Sequence, residues 1–508
     1  MTAVFRPLAI LAHSTFGTKL ALAFTITAFG DWLFYDHDVG VSLAMFLVVL
    51  AGGACLMSPV RKRRTLLAAA TLLTFALLPL LEDTGTISIL FGILGTALAA
   101  IVMTGGASRG WNTLAASTQR LLLTGAFQII PDFVEARQEA QREGRQWMRL
   151  DAMVSWIVPV LCCAVFIALF ASANPLIEQW LAIFDVSRQS WEFDVVRLAA
   201  WIILLAVAWP FLSVRLCEKP LIKRGLLKVD APSIKGSNLL FGPAAILRSL
   251  VIFNVLFAVQ SGLDAVYLWS GAALPEGMTY ATYAHRGAYP LIITALLAAG
   301  FVLAAMRPGG SGEQSPIIRQ LVYLWVAQNV LLVTSSILRL ELYVATYSLT
   351  LLRMAAFIWM LLVAVGLILI MARIALRRSN GWLVGANVLS LALTLYVCSF
   401  VNFAAVIANH NLSYRRETMP GATSIDAYYI RTLGPHVIPA VDRYIARKHL
   451  TASDHLVQWR NRIAVAHGEQ MNDWRAWTFR DLRLQHYLAG RMDGKAATST
   501  TFEQTIIP

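Results

Sequence analysis

The chain has 508 residues, of which 57% are hydrophobic and only 14% charged, with a formal net charge of +13 at pH 7. Soluble globular proteins carry about 25% charged residues, so this composition excludes an ordinary soluble domain. The basic residues lie in short groups beside apolar runs, a pattern that orients membrane helices and argues against a nucleic-acid partner.

Apolar runs of about 17–25 residues recur along the chain, and each can cross a hydrocarbon layer of about 30 Å as a helix. A segment inside lipid must satisfy its own backbone hydrogen bonds, so these runs are predicted to be α-helices. The predicted fold class is therefore all-α: a polytopic integral membrane helical bundle of about eleven transmembrane helices with a small helical C-terminal soluble domain. The predicted spans are 18–35, 39–58, 65–81, 85–104, 152–172, 197–214, 249–269, 288–306, 318–338, 351–373 and 382–406.

The predicted organisation follows the chain. Residues 1–104 form membrane hairpins with four spans, and 105–150 form a cytoplasmic interfacial segment. Residues 151–409 form the main membrane domain with seven spans. Residues 410–490 form an extracytoplasmic helical domain, and the polar tail 491–508 is predicted to be disordered.

Lysine and arginine predict the orientation of this bundle. They concentrate in every second loop, above all at 61–64, 105–150 and 214–248. Positive charge is retained on the cytoplasmic side during insertion, so the N-terminus is predicted inside and the C-terminus outside. The excess of arginine over lysine is typical of a bacterium, and the predicted location is the bacterial cytoplasmic (inner) membrane, with the lipid bilayer as the first partner.

The segment 105–150 is more polar than a simple connection. "WNTLAASTQRLLLTGAFQII" is apolar with Arg120 and stops at Pro131, and "DFVEARQEAQREGRQWMRL" then has the pattern of a polar helix. This order predicts an interfacial helix followed by a solvated one on the inner face. The segment is either a connector along the headgroups or a docking surface for a cytoplasmic partner.

Several short helices are predicted after His410. "TSIDAYYIRTLGP" is typical of a capped helix that ends at Gly434, and Ser453 and Asn472 are the N-caps predicted for two later helices.

The chain contains no phosphate-binding loop, dinucleotide fingerprint or hydrolase elbow, and its five cysteines have no metal-type spacing. No cofactor and no metal site are predicted. Ionisable residues at membrane depth are costly and are therefore the candidates for function. Asp264 shares one face of its predicted span with Asn254 and Ser261. It is either a helix-to-helix hydrogen-bonding group or a contact for a ligand or ion.

Two polar clusters are predicted on the outer face. "LPEGMTYATYAHRGAYPLI", from Leu274 to Ile292, follows Asp264 directly, and "RLELYVATYSLTLLR" joins the ninth and tenth spans. They are either an aromatic belt at the headgroups or a site for an anionic or sugar-like ligand. The candidate site residues are Asp264, Glu276, Tyr280, Tyr283, His285, Arg286, Arg339, Glu341, Tyr343 and Arg353.

The strings "LPEGMTYATYAHRGAYPL", "LRLELYVATYSLTLLR" and "IDAYYIRTLGPHVIPAV" resemble a bacterial membrane family, domain of unknown function 4173. The resemblance covers roughly 240–445. The family has no established activity, so the resemblance implies a membrane protein but no catalytic residue.

Three functions are compatible with this pattern. The leading hypothesis is a non-enzymatic protein that binds or moves a small polar or anionic solute or a lipid headgroup at the outer face. The second is a membrane-embedded transferase or hydrolase acting on an envelope lipid, with Glu276 or Glu341 as base and His285 as its partner. The third is a sensor or assembly partner with 105–150 as its output.

Overall fold

The computed structural model describes residues 16–58, 62–105, 110–142, 195–216, 243–266, 297, 300–301, 315–413 and 425–503. Every regular element within these ranges is helical. The α-helices are α1 (Phe16–Phe34), α2 (Val41–Met57), α3 (Arg63–Glu82), α4 (Thr86–Met103), α5 (Trp111–Thr124), α6 (Ile129–Arg142), α7 (Val195–Leu212), α8 (Pro243–Asp264), α9 (Pro316–Tyr347), α10 (Leu351–Ala375), α11 (Asn380–Phe400), α12 (Phe403–Asn411), α13 (Ala427–Thr432), α14 (Ile438–Lys448), α15 (His455–Gln470) and α16 (Phe479–Glu503). Short 3₁₀ turns lie at Gly125–Gln128, Pro435–Val437 and Trp474–Ala476.

In the described part of the chain, 6 helices are long and apolar enough to cross a membrane, namely α3, α4, α8, α9, α10 and α11. Val41–Met57 and Val196–Leu212 are shorter apolar helices. The predicted span 152–172 lies outside the described residues, and 288–306 meets them only at 297 and 300–301, which are helical. The membrane class is therefore supported, and the count of about eleven spans stays a prediction.

Helices α10 and α11 expose most of their apolar side chains. In their most apolar windows only 17% and 11% of the residues are buried within the protein. Leu352 on α10 and Leu389 and Leu393 on α11 are among the most exposed leucines. A surface of this size would be unfavourable in water, whereas lipid tails cover it at no cost, which is the arrangement of a membrane helix.

The chain divides into two compact units, Met1–Lys228 with Asp473–Thr478, and Val229–Asn472 with Phe479–Pro508. In the first unit α1 and α7 run antiparallel, with Trp209 of α7 fully buried against the α1–α2 core. Helices α3 and α4 form a close hairpin. A Cβ atom built on Gly95 would lie 2.0 Å from the Cβ of Ala76, so this crossing requires glycine.

Residues 473–478 pack against the turn between α1 and α2, within the first unit. The Val41 amide donates to the Trp477 carbonyl at 2.8 Å. His37 Nδ1 lies 2.8 Å from a carboxylate oxygen of Asp473. The N-cap predicted at Asn472 is wrong, because the Asp473 side chain accepts the backbone N–H of Arg475 and starts the 3₁₀ turn instead.

In the second unit α8 and α9 pack side by side in parallel. The Asn254 side-chain amide of α8 donates to the Leu321 carbonyl at 3.2 Å, and the Gln328 side chain of α9 donates to the Asn254 carbonyl at 3.2 Å. Further along both helices, Asp264 meets Arg339.

Helices α9 and α10 are joined by a tight turn that the later helices contact. Ser348 holds this turn with a φ of 77°. The Asn411 side chain accepts from the Leu349 amide at 2.8 Å and donates to the Leu349 carbonyl at 2.9 Å. The Tyr429 hydroxyl accepts from the Leu351 amide at 2.8 Å. In the second unit α12 and α13 therefore lie at the α9–α10 end of the membrane helices.

The helices after residue 425 share an apolar cluster with the end of α12, in which Ala408 and Leu412 pack with Val437 and Val441. Asp426 caps α13 by accepting from the Tyr429 amide at 2.9 Å. The cap predicted at Ser453 is wrong by one position, because Asp454 is the N-cap of α15 and makes no side-chain cap bond. Helix α16 extends to Glu503, into the tail predicted to be disordered, and 504–508 lie outside the described residues.

Candidate functional site

Asp264 and Arg339 form an ion pair between α8 and α9. The Arg339 Nη2 group donates to Asp264 Oδ1, and the Gln260 side-chain amide donates to the same oxygen at 3.1 Å. Only 1% of Asp264 and 4% of Arg339 is exposed. Removing two charges from solvent is costly, and close pairing with added hydrogen bonds is what makes such burial tolerable.

Arg353 binds backbone carbonyls at the C-terminal end of α9. Its Nη1 group donates to the Tyr347 carbonyl at 2.7 Å and to the Ser348 carbonyl. Its guanidinium carbon lies 4.4 Å from the centroid of the Tyr343 ring, a cation–π distance, and that ring lies 5.0 Å from the Tyr347 ring. A cation at the carbonyl end of a helix is also favoured by the helix dipole.

The other predicted site residues divide into two groups. Glu341 is exposed on α9. Five residues lie outside the described part of the chain: Glu276, Tyr280, Tyr283, His285 and Arg286. The structure thus brings Asp264 together with Arg339, and Tyr343 together with Arg353.

A second polar site lies in the first unit, where α1, α2, α4 and α7 end beside α6. These ends enclose a cavity of about 400 Å³, within the size range of small-molecule pockets. Its polar lining residues are Lys19, Thr104, Asp132, Glu135, Ser213 and Arg215. The predicted topology places this cavity at the inner side of the membrane.

One wall of the cavity carries two carboxylates around one guanidinium. Arg215 donates from Nη2 to Asp132 Oδ1, from Nη2 to Glu135 Oε2 at 2.8 Å and from Nη1 to Glu135 Oε1 at 3.2 Å. The indole N–H of Trp209 donates to Asp132 Oδ2 at 3.0 Å. Burial by itself would lower the pKa of Arg215, and the hydrogen bonds and charges of Glu135 and Asp132 outweigh it and raise that pKa.

A single amine also lines the cavity. Lys19 Nζ donates to the Ser213 hydroxyl at 3.0 Å. In the described part of the chain no carboxylate lies within ion-pair distance of Lys19. Two acids and one arginine leave their cluster with one net negative charge, and Lys19 adds one positive charge to the lining.

The sequence contains only indirect signals of this cavity. Lys19 and Arg215 match the pattern of basic residues that orient helices, and Asp132 and Glu135 match that of a solvated helix face. The informative feature was Trp209, because an indole N–H inside an apolar span requires an acceptor. Its acceptor is Asp132, 77 positions earlier in the chain.

Two further polar groups belong to the packing of the described C-terminal helices. Asp442 is buried and accepts from Arg460 at 2.7 and 3.0 Å and from the Tyr487 hydroxyl at 3.1 Å. The carboxylate of Asp481 lies 3.4 Å from His436 and 3.9 Å from His467. Among the described residues no cluster of histidine, cysteine and acidic side chains is suited to hold a metal.

Residues 66–444 match the family model described as domain of unknown function (DUF4153). The chain belongs to this family. The resemblance to domain of unknown function 4173 is therefore corrected: the family found is DUF4153, over most of the chain. The DUF4153 region includes both Asp264–Arg339 and the Asp132–Arg215 wall of the cavity. No curated protein and no solved structure matches the chain.

Proposed function

We propose that this DUF4153 protein resides in the bacterial inner membrane and binds, or helps to move, a small polar or anionic solute or a lipid headgroup at its outer face. The observation that supports this function is the buried Asp264–Arg339 pair at the far ends of two parallel helices. Ionisable residues within membrane helices are rare because they are costly, and they commonly mark ligand pathways.

Arg353 supplies the cation that such a site needs. The Asp264–Arg339 pair is neutral as a unit, so it offers little net attraction for an anion. The guanidinium of Arg353 has five N–H donors, and its Nη1 group donates to the carbonyls of Tyr347 and Ser348. The ring of Tyr343 fixes its position, and guanidinium groups bind carboxylates and phosphates well.

The test compares Arg353→Gln with Arg319→Gln. Both arginines are half-buried, but Arg319 lies in the first turn of α9, at the end away from the proposed site. The full chain in nanodiscs is titrated with inorganic phosphate and, separately, reconstituted with phosphatidylglycerol. We expect Arg353→Gln to weaken binding about tenfold, the effect of one charge-assisted hydrogen bond, and Arg319→Gln to bind like the unmodified protein. Equal binding by all three proteins contradicts the proposal.

The rival functions stay hypotheses. In the transferase or hydrolase hypothesis, His285 and Glu276 lie outside the described residues, and Glu341 is an exposed residue of α9. In the sensor or assembly hypothesis, residues 110–142 form α5 and α6, and Asp132 and Glu135 of α6 are joined to Arg215. No contact among the described residues favours either rival over binding.

A further inference from the structure

We infer that the cavity at the ends of α1, α2, α4 and α7 binds a zwitterionic phosphate ester, a molecule that joins a phosphate to a primary ammonium. Such a group is found in the headgroup of phosphatidylethanolamine and in free phosphoethanolamine. The cavity belongs to the first unit and includes none of the residues of the proposed outer-face site, so its ligand does not rest on the proposed function.

The charges that line the cavity are of both signs. The carboxylates of Asp132 and Glu135 share the single guanidinium of Arg215, so this wall keeps one negative charge. The amine of Lys19 supplies the matching positive charge on the same cavity. A cavity whose lining is neutral in total but carries both a net-negative cluster and a separate ammonium favours a ligand with two opposite charges over a simple anion or a simple cation.

The polar groups that line the cavity can make further hydrogen bonds to a ligand. An ammonium group has three N–H donors, and the Ser213 hydroxyl takes one from Lys19 at 3.0 Å. Ser213 can donate its own proton to the same ligand oxygen that Lys19 binds. Glu135 is 60% exposed, so its oxygens retain room to accept from a ligand ammonium beside the Arg215 bonds.

The place and size of the cavity also suit a headgroup. It lies where the apolar helices end, at Met57, Thr104 and Leu212, and Phe16 and Phe211 add apolar walls. A lipid has its phosphate and ammonium at this depth, with its chains beside the helices. A volume of about 400 Å³ accommodates a headgroup rather than a whole lipid.

The experiment measures two ligand pairs on the full chain. Calorimetry in detergent compares phosphoethanolamine with inorganic phosphate. Native mass spectrometry compares retention of phosphatidylethanolamine with that of phosphatidylglycerol carrying the same acyl chains. We expect about a tenfold preference for the ammonium-bearing member in at least one pair, because a charge-assisted hydrogen bond to Glu135 is gained. A preference in the lipid pair alone identifies a headgroup, and one in the soluble pair alone identifies a free metabolite.

Substitutions of the lining residues test which side chains cause the preference for the ammonium-bearing ligand. Glu135→Gln should abolish the tenfold preference while leaving phosphate binding intact. Lys19→Gln should weaken every phosphate-bearing ligand about tenfold, and Ser213→Ala should do so to a smaller extent if Lys19→Gln does not fold. Matched controls are Lys62→Gln and Glu469→Gln, both exposed and outside the cavity lining. No preference in either pair, or a preference that survives Glu135→Gln, overturns the inference.

Discussion

At the residue scale the most informative feature is that membrane-depth charges are paired across helices. Asp264 and Arg339 are separated by 75 positions, and the parallel packing of α8 and α9 brings them into contact. Asp31 of α1 and Arg197 of α7 form a comparable pair, with contacts of 2.6 to 3.2 Å. In both pairs the carboxylate is almost fully buried, so each pair constrains which helix faces meet.

The Asp264–Arg339 pair predicts strong coupling between the two residues. Asp264→Ala should destabilise the protein by about 3–5 kcal/mol, because it leaves the buried guanidinium without its carboxylate. Adding Arg339→Met should restore much of that loss, since no buried charge then remains. Thermal unfolding in detergent, measured for both single variants and the double variant, checks this expectation. Additive losses would contradict it.

Tyr487 predicts a stability change at high pH. Burial raises the pKa of the Tyr487 hydroxyl above its ordinary value, and the nearby charge of Asp442 and its hydrogen bond raise it further. The folded state therefore holds this proton more tightly than the unfolded state does. The stabilisation is complete below the unfolded pKa of about 10 and is lost as pH rises through the folded pKa.

The measurement is the unfolding midpoint of the full chain between about pH 8 and 11, a range that brackets the ordinary tyrosine pKa. Tyr487→Phe removes this titrating group and should flatten the decline relative to the unmodified protein. Tyr428→Phe is the matched control, because Tyr428 is 78% exposed. Parallel curves for the unmodified and Tyr487→Phe proteins would show that this proton is not linked to folding.

At the element scale, the contact between the α1–α2 turn and residues 473–478 depends on one glycine. A Cβ atom on Gly40 would lie 2.2 Å from the carbonyl carbon of Ala476. No real side chain tolerates such a distance to backbone atoms, so the segment has to move away when Gly40 is replaced. The turn then loses the hydrogen bond from Val41 to Trp477 and the ion pair of His37 with Asp473.

Gly40→Ala should therefore expose residues 473–478 to proteolysis. We expect tryptic cleavage after Arg475 to accelerate by about tenfold or more, because cleavage follows the population of the open segment and about 1.4 kcal/mol corresponds to that factor. Gly52→Ala is the matched control, since a Cβ there meets nothing within 4 Å. Equal cleavage rates in the two variants would mean that the segment does not depend on this close contact.

The starts of the short helices show what local sequence predicts poorly. Helices α13, α14 and α15 lie where the sequence predicts them, but the helix predicted to open at Asn472 begins at Phe479, and two caps are predicted on the wrong residues. Ser453 and Asn472 each stand beside an aspartate, and the neighbouring Asp454 and Asp473 occupy the N-cap positions. Several short polar side chains in a row compete for the same backbone N–H groups, and tertiary contacts decide between them.

At the scale of the whole molecule, the orientation remains a prediction with a direct test. The basic loops predict that the N-terminus and residue 105 face the cytoplasm and that the C-terminus faces outward. Fusions to green fluorescent protein and alkaline phosphatase after Gly105, after Ser413 and at the C-terminus measure this. We expect fluorescence only for the first fusion and phosphatase activity for the other two. A fluorescent C-terminal fusion would contradict the predicted orientation.

Several properties of this protein were determined by the sequence alone. Runs long enough to cross lipid predicted the helices that the structure shows at α3, α4 and α8 to α11, because bilayer thickness fixes their length. The cost of charge in lipid also identified Asp264, Arg339 and Arg353 as residues that need partners. These inferences depend only on local composition, which can be read directly from the sequence. The resemblance based on short sequence segments was less reliable, since it indicated a different family from DUF4153.

Only the tertiary structure decided which partners those residues have. Arg353 is a predicted residue of the outer-face site, and it binds the carbonyls that end α9. The cavity combines Lys19 with Ser213, 194 positions away, and Arg215 with Asp132, 83 positions away. Helical periodicity shows which residues share a face, but it carries no information on which distant face packs against it. That choice is made by the packing of the whole bundle.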